Sequence, residues 1–518
     1  MRPTEVALLV SVFVVAACGL VYELAAGALA SYLLGDSILQ FSTVIGTYLF
    51  AMGIGSYLSR FFERQLIAHF LRIELLVGVV GGLMPAALFA LHATATPSFR
   101  FALYVMVLLV GVLVGLEIPL VMRILQSQLR GDRNVHTSGA SSTKHGLKNL
   151  VSQVLTFDYL GALAVSVAFP LLLVPHLGLI RTGVLFGLLN VGVACWALWL
   201  FRSQLRAHAA HLTACVLSAA ALFAAGAGAD RITTWAEDRF YADSVLFSET
   251  SPYQRVVVTS GKAGVRLFLN GNLQFHSRDE YRYHEALVHP AMAGHGAPKR
   301  VLVLGGGDGM AVREVLKYAA VEEVTLVELD PHMTRLFSEQ PLLRTLNADA
   351  LHSPKLRIVN ADAFSWLETH AASFDVIVVD FPDPTNFSIG KLYTTSFYKL
   401  LDEHLSASGY AVIQTTSPLV ARRSFWTVAT TLEAVGLTAT PYHAHVPSFG
   451  EWGFILASRR PYRTPLTVPN GMKFLSLDGL PALFNFPPDM ARVPTEVNRL
   501  SNQVLVQTFE AEWGKVNP

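Results

Sequence analysis

Apolar positions follow two different rhythms along this 518-residue chain, and the change falls close to residue 229. From Val6 to about Ala227 they gather into long runs, each near the roughly 20 residues a helix needs to cross a hydrocarbon core. Seven segments stand out, at 6–26, 38–58, 68–91, 101–122, 156–178, 182–201 and 210–228. So many runs in succession, most with short connections, are not expected of buried helices in a water-soluble protein, whereas a membrane demands them. The pattern predicts an all-α transmembrane bundle over residues 1–228. Small residues at Ala16-Ala17-Cys18-Gly19 offer a signal-peptidase site, but the run continues to Ala26, so an uncleaved first helix is expected.

Past residue 229 the apolar runs shorten. Residues 229–248 are polar with mixed charge and read as a linker or docking helix. Within 249–297, Arg255–Thr259 and Val265–Leu269 alternate in polarity, and Asn270-Gly271 is a strong hairpin signal, predicting a small antiparallel β-unit followed by a helix over Asp279–Ala293. Over 298–460, strands are predicted at Arg300–Leu304, Val324–Val327, Leu356–Val359 and Asp375–Val379, with helical stretches between them. That alternation predicts an α/β, Rossmann-like sheet of the methyltransferase type. The tail, 461–518, carries Leu480–Phe484 and a helix-like Glu496–Trp513, both expected to pack on the sheet or the membrane face.

Composition sharpens this division. Hydrophobic residues make up 52% of the chain and charged residues 15%, with 39 Lys and Arg against 38 Asp and Glu. With no basic block, a nucleic-acid partner is not expected. All three cysteines (Cys18, Cys195, Cys215) lie in the apolar half, so the polar half holds neither a disulfide framework nor a thiolate metal site. Loop charges orient the bundle: Arg60 and Arg64, then Arg123, Arg130, Arg133, Lys144 and Lys148, then Arg202 and Arg206 follow the even-numbered segments. They place the N-terminus and those loops in the cytoplasm. Seven crossings would then put the polar half outside; a cytoplasmic face of the inner membrane is nevertheless the expectation, with the last segment the doubtful crossing. Glu23, Glu74, Glu117 and Asp158 fall in or beside the apolar runs. They suit a cation site, or else interfacial positions and pairing with Arg72 or Arg123, the reading slightly favoured by the sequence.

The chemistry gathers at strand ends. Asp308 sits in the loop Gly305-Gly306-Gly307-Asp308-Gly309, and Glu328, Asp362 and Asp380 lie at or just past the next three predicted strands. Ligands of doubly wound sheets bind at those ends. Asp308 would repel a pyrophosphate from the helix N-terminus where anions normally bind, although alone it also reads as a helix cap. Glu328, 19 residues beyond Gly309, suits ribose hydroxyls, and Asp362 suits a donor such as an adenine amino group. The set reads as a pocket for a cationic nucleoside without phosphate, such as a sulfonium.

Tyr253-Gln254, Leu273-Gln274, Asp279-Glu280, Tyr283-His284-Glu285, His289-Pro290, the glycine loop, Glu328-Leu329-Asp330 and Asp380-Phe381-Pro382-Asp383-Pro384 resemble, in order and spacing, the polyamine aminopropyltransferases, or spermidine synthases. The resemblance runs from about Pro252 to Leu456, and the apolar half resembles the membrane-bound, multi-pass members. It implies transfer of the aminopropyl group of decarboxylated S-adenosylmethionine to a polyamine, typically putrescine, giving spermidine and methylthioadenosine. It further implies that Gln254, Glu328, Asp362 and Ala363 hold the nucleoside and that Asp308 pairs with the donor's ammonium while repelling the carboxylate of ordinary S-adenosylmethionine. Asp380 would take the proton of the attacking amine; Tyr283, His284, Asp383, Tyr442 and Gln274 would bind the polyamine. The decarboxylated nucleoside is a co-substrate, so no cofactor and no metal is expected. Lipid bilayer and a small amine are the expected partners, and homo-oligomers are common in the family.

The chain departs from the family at Phe381-Pro382, where Ser or Thr is usual, at Thr385-Asn386, where Gly-Pro is frequent, and at Asn270, usually Asp. The first two fall on the acceptor side. Two other functions fit parts of the chain. A methyltransferase using S-adenosylmethionine shares the sheet, but Asp308 and the Asp380/Asp383 pair disfavour it. A membrane polyamine transporter or sensor with a regulatory synthase-like domain is suggested by the intramembrane acids.

Overall fold

The computed structural model describes residues 3–34, 37–94, 98–131, 140–205, 207–241 and 243–516. Arg133 lies outside the described residues, as do the side chains of Arg130, Lys144 and Lys148. Two compact units divide the chain, Met1–Val245 and Leu246–Pro518.

The first unit is helical: α1 (Pro3–Leu34), α2 (Ser37–Leu58), α3 (Leu66–Thr94), α4 (Phe99–Gly131), α5 (Ala140–Ala168), α6 (Val174–Leu200), α7 (His208–Ala227) and α8 (Ala229–Phe240). Among the described residues, six stretches are long and apolar enough to cross a membrane, against seven predicted. The difference is one 50-residue stretch, Val151–Leu200, which joins the fifth and sixth segments. It passes through a π-helical turn at Phe169–Leu173 and breaks at Gly178, whose φ of 72° and ψ of 171° are open essentially to glycine alone. Elsewhere glycine lets helix backbones meet: a Cβ on Gly115 of α4 would lie 2.2 Å from the Met52 carbonyl oxygen of α2.

Two of the four acids in the apolar helices depart from the reading the sequence favoured. Glu74 and Glu117 are 0% and 1% exposed, so neither sits at a watered helix end. Among the described residues Arg123 pairs with no acid; it donates to the backbone carbonyls of Ser59 and Phe62. Glu74 instead accepts from the Asn190 amide at 2.7 Å.

The second unit opens with a four-stranded antiparallel sheet, β1 (Ser244–Thr250), β2 (Arg255–Gly261), β3 (Gly264–Leu269) and β4 (Asn272–His276), in that order. The β3–β4 turn is Asn270-Gly271, with φ of 49° and 81°, the pair of positive values a tight hairpin requires. Strand β1 and helix α8 occupy what reads as a linker. Helix α9 (Glu280–His295) then leads into seven strands, β5 (Arg300–Gly305), β6 (Glu323–Glu328), β7 (Leu356–Asn360), β8 (Phe374–Asp380), β9 (Leu405–Gln414), β10 (Thr438–Val446) and β11 (Gly450–Ser458). Their order is β10-β11-β9-β8-β5-β6-β7, with β5 to β9 parallel and the last two antiparallel. Between them run α10 (Met310–Val315), α11 (Pro331–Glu339), α12 (Pro341–Leu346), α13 (Ala363–Thr369), α14 (Phe387–Gly390), α15 (Thr395–Glu403) and α16 (Arg422–Glu433), and α17 (Val504–Trp513) closes the chain.

Both faces of the sheet are covered. Val301 and Val303 of β5 enter one hydrophobic core while Leu302 and Leu304 enter the other, which is why the strand reads as an unbroken apolar run. The hairpin β10–β11 was not predicted: β10 is an edge strand carrying Pro441 and two histidines, polar enough to hide its pairing. The tail packs on this unit, with Phe484 against Tyr442 at 5.3 Å and Glu512 of α17 accepting from the free amides of Arg423 and Ser424 at the start of α16. The closing helix starts at Val504 rather than Glu496, after Gln503 in the left-handed region.

Candidate active site

Strand order reverses between β5 and β8, and at that point Gly305 and Asp380 are register partners. A crevice opens at such a switch point because the flanking connections leave on opposite faces. The glycine loop wraps the acids tightly. A Cβ on Gly305 would stand 2.3 Å from the Asp380 carbonyl oxygen, and one on Gly307 would stand 2.7 Å from Cγ of Glu328. Gly305, Gly306 and Gly309 also hold positive φ, so the loop needs glycine for conformation and for space.

Four of the predicted acids meet here. Asp308 is 8% exposed and its Oδ1 accepts from the Met310 amide at 2.9 Å, so it caps α10 as well as facing the crevice. Glu328 takes the Gly307 and Asp330 amides at 3.1 and 2.9 Å. Asp380 accepts from the Tyr283 hydroxyl at 2.6 Å. Asp383 has a buried Oδ1 that meets no donor among the described residues. Burial pushes all four carboxyls up: Asp308 above its ordinary range, Asp380 to about 6, and Glu328 and Asp383 each to about 7. The neighbouring Asp308 raises Asp380 further, while His284 and the Tyr283 hydroxyl hold it back. Negative charge stripped of water and only partly paired is a receptor for cations.

A second layer sets this charge. Burial alone would discharge His284, but Glu280 accepts from its Nδ1 at 2.7 Å and lifts its pKa to about 9. Glu280 is in turn gripped by Arg313 at 3.0 and 2.9 Å; His284 and Arg313 overcome its burial and hold it at about 2. Other motif residues are scaffold. Asp279 accepts from Ser448 in the β10–β11 turn, Glu285 takes the amides of Lys473, Phe474 and Leu475, and His289 meets Glu314.

The remaining predicted residues divide. Gln254 donates to Asp330 at 3.0 Å, which ties the small sheet to the β6 end. Asp362 caps α13 through the Ser365 amide, and its other oxygen meets Lys391 Nζ at 2.8 Å. Partial burial works against that anion, but Lys391 and Ser365 keep its pKa below the ordinary value. Ala363 is the buried first residue of α13. One expectation fails. Tyr442 is 0% exposed, stacked on Phe454 and donating to the Ala286 carbonyl at 2.7 Å, so it is core and cannot stand beside a substrate. Gln274, half-buried, donates to the Asn272 carbonyl within its own strand.

Sequence reading missed Gln414, Trp452 and Phe449. Gln414 ends β9 and binds the Phe381 carbonyl and the Tyr393 hydroxyl while accepting from Trp452 Nε1 at 3.0 Å. Phe449 lies 5.2 Å from Trp452 and 6.3 Å from Tyr283, centroid to centroid. Their one sequence signal is a glutamine closing the apolar run Tyr410–Ile413.

Comparison with known proteins shows the family. Residues 280–466 match the spermine/spermidine synthase domain. Polyamine aminopropyltransferase 2 of Ralstonia nicotianae is 55% identical over 513 residues, 98% of each chain. The polyamine aminopropyltransferase of Leptospira interrogans is 48% identical over 99% of each. The crystal structure of spermidine synthase from Thermotoga maritima is 26% identical, with a TM-score of 0.43 covering 47% of this chain and 85% of that one. Relatives that match nearly the whole length of the chain show that it belongs to the spermine/spermidine synthase family and is a polyamine aminopropyltransferase.

Proposed function

We propose that the second unit transfers the aminopropyl group of decarboxylated S-adenosylmethionine to putrescine, forming spermidine and methylthioadenosine. The observation that carries this reading is the convergence of Asp308, Glu328, Asp380 and Asp383 on one switch-point crevice, with charge that cationic ligands relieve. Glu328 holds the ribose, and Asp308 holds the donor's ammonium while repelling a carboxylate there. Gln254 and Ala363 shape the nucleoside pocket; Asp362 reaches the adenine once Lys391 lets go of it. Asp383 tethers the far ammonium of the diamine, and Gln414, Trp452 and Phe449 wall its methylene chain.

A free alkyl ammonium titrates near 10.4, so the attacking nitrogen arrives protonated. Asp380 orients that nitrogen and accepts the proton as attack proceeds. The nitrogen lone pair forms a bond to the terminal methylene carbon, the carbon–sulfur bond breaks, and its electron pair leaves on sulfur as a neutral thioether, which needs no acid. Alignment of nitrogen, carbon and sulfur in the closed crevice supplies much of the rate.

The helical unit, in this reading, is embedded in the inner membrane. Its large apolar side chains face outward, with Phe50, Phe101, Trp199 and Phe223 66%, 76%, 68% and 71% exposed. The stretch Val151–Leu200 would measure ~75 Å if straight, against a hydrocarbon core of ~30 Å, so the break at Gly178 turns it into two traverses. Supply of donor and amine places the catalytic unit on the cytoplasmic face; loop charges and seven traverses favour the other. Protease treatment of sealed inside-out vesicles decides it: cleavage within 246–518 is expected, and protection there overturns the placement.

The purified full chain, given decarboxylated S-adenosylmethionine and a panel of amines, should release methylthioadenosine, fastest with putrescine. Release only with another amine would reassign the acceptor. No release with any amine from folded protein would overturn the reaction.

A further inference from the structure

We propose that the helical bundle contains a second amine site, a receptor for one primary alkylammonium group built on Glu74 of α3 and Glu117 of α4. These carboxyls are 0% and 1% exposed and face the interior of the bundle. One polar chain connects three helices: the Tyr22 hydroxyl of α1 donates to Asn190 Oδ1 of α6 at 2.7 Å, and Asn190 Nδ2 donates to one Glu74 oxygen at 2.7 Å. The supply of donors ends there. Among the described residues, Glu74 Oε1 and both oxygens of Glu117 meet no hydrogen-bond partner. The two carboxyls lie within electrostatic reach of each other.

Protonation alone leaves the cluster unsatisfied. A neutral Glu117 would present a hydroxyl that needs an acceptor and would still leave a carbonyl oxygen without a donor. Polar groups left this way deep in a bundle are strongly disfavoured, so a guest must supply both hydrogens and positive charge. Three free acceptors match the three N–H donors of a primary ammonium; a water brings two and no charge. No group of three or more His, Cys, Asp or Glu among the described residues is arranged to hold a metal ion. Position agrees: Glu74 lies eight residues past Leu66 and Glu117 ten before Ser127, ~12 and ~15 Å in from the ends of their apolar stretches. Both acids thus stand nearer to the same end of the bundle. The site's ligand class is that of the catalytic acceptor and product, so the bundle senses or conducts the amines that the other unit makes.

The test uses the intact chain in lipid nanodiscs with radiolabelled putrescine. The double variant Glu74→Gln/Glu117→Gln is expected to bind one equivalent fewer per chain than wild type while aminopropyl transfer persists. Equal stoichiometry overturns the site. A second measurement needs no variant: a hydrophobic carbodiimide should label Glu117 in the wild-type protein. Putrescine at ten times its dissociation constant should suppress that labelling about tenfold, and 1,4-butanediol should not. Labelling indifferent to putrescine overturns the proposal and leaves the acids to protons and water. Neither readout requires the transfer reaction, so failure here is distinct from failure of the catalytic reading.

Discussion

Asp380 shows how much one side chain's surroundings decide. In water it would be a weak base; burial and Asp308 lift it to about 6, and the Tyr283 hydroxyl and His284 stop it from going higher. A base titrating just below neutrality is matched to its task. Asp380→Asn should therefore lower kcat by about 10²–10⁴-fold while donor binding, read by calorimetry, is retained. In wild type, kcat/KM should rise with pH through about 6 to 7 as Asp380 and Asp383 ionise, on top of the deprotonation of the amine itself. Tyr283→Phe removes a bond to the anion, which raises the carboxyl's pKa, so that acid limb should move to higher pH; an unmoved limb would assign the titration to another group. The side chains of this site were legible as residue types at strand ends. Tyr442 misled because a tyrosine near Val446-Pro447 fits a family pattern, whereas its ring is needed to fill the core between β10 and α9.

At the level of elements, the glycine loop and α9 carry the site. Gly307→Ala places a methyl group 2.7 Å from Cγ of Glu328 and should weaken nucleoside binding more than it slows bound substrate, seen as a larger effect on donor KM than on kcat. Helix α9 presents Glu280, Tyr283 and His284 to the crevice and Glu285 and His289 to the scaffold, a division its sequence period does not reveal. Its Glu280–His284 pair also ties stability to pH. Glu280, depressed from 4.5 to about 2, contributes above 4.5 and loses that contribution as pH falls through 2. His284, raised from 6.5 to about 9, contributes fully below 6.5 and loses it as pH rises through 9. Thermal unfolding of the detergent-solubilised chain should thus show a Tm that declines between pH 6.5 and 9, and His284→Asn should flatten that decline. Arg313→Met takes one of two cationic partners from Glu280 and leaves it His284, so it should cost less than the about 3–5 kcal/mol of a fully broken buried pair.

Across the whole molecule, one chain joins an apolar helical unit to a doubly wound enzyme whose substrates are cations. Membrane fractions washed with alkaline carbonate should retain the full chain, and detergent should release it; release by carbonate alone would remove the bilayer from the account. Acids partly or wholly shielded from water in each unit, four at the strand ends and two between helices, make the same physical offer to an ammonium group.

Periodicity and punctuation determined a good deal without tertiary information. Seven apolar runs, the Asn270-Gly271 hairpin, four parallel strands and acids at their ends were all readable because each depends on local spacing of apolar, glycine and charged residues. Only the folded chain decided what depends on distant partners. It paired β10 with β11, turned a polar stretch into β1, gave Asp362 to Lys391, withdrew Tyr442 into the core and recruited Gln414 and Trp452. Those outcomes arise from contacts between residues tens to hundreds of positions apart, and no local pattern records which donor a buried acceptor will meet.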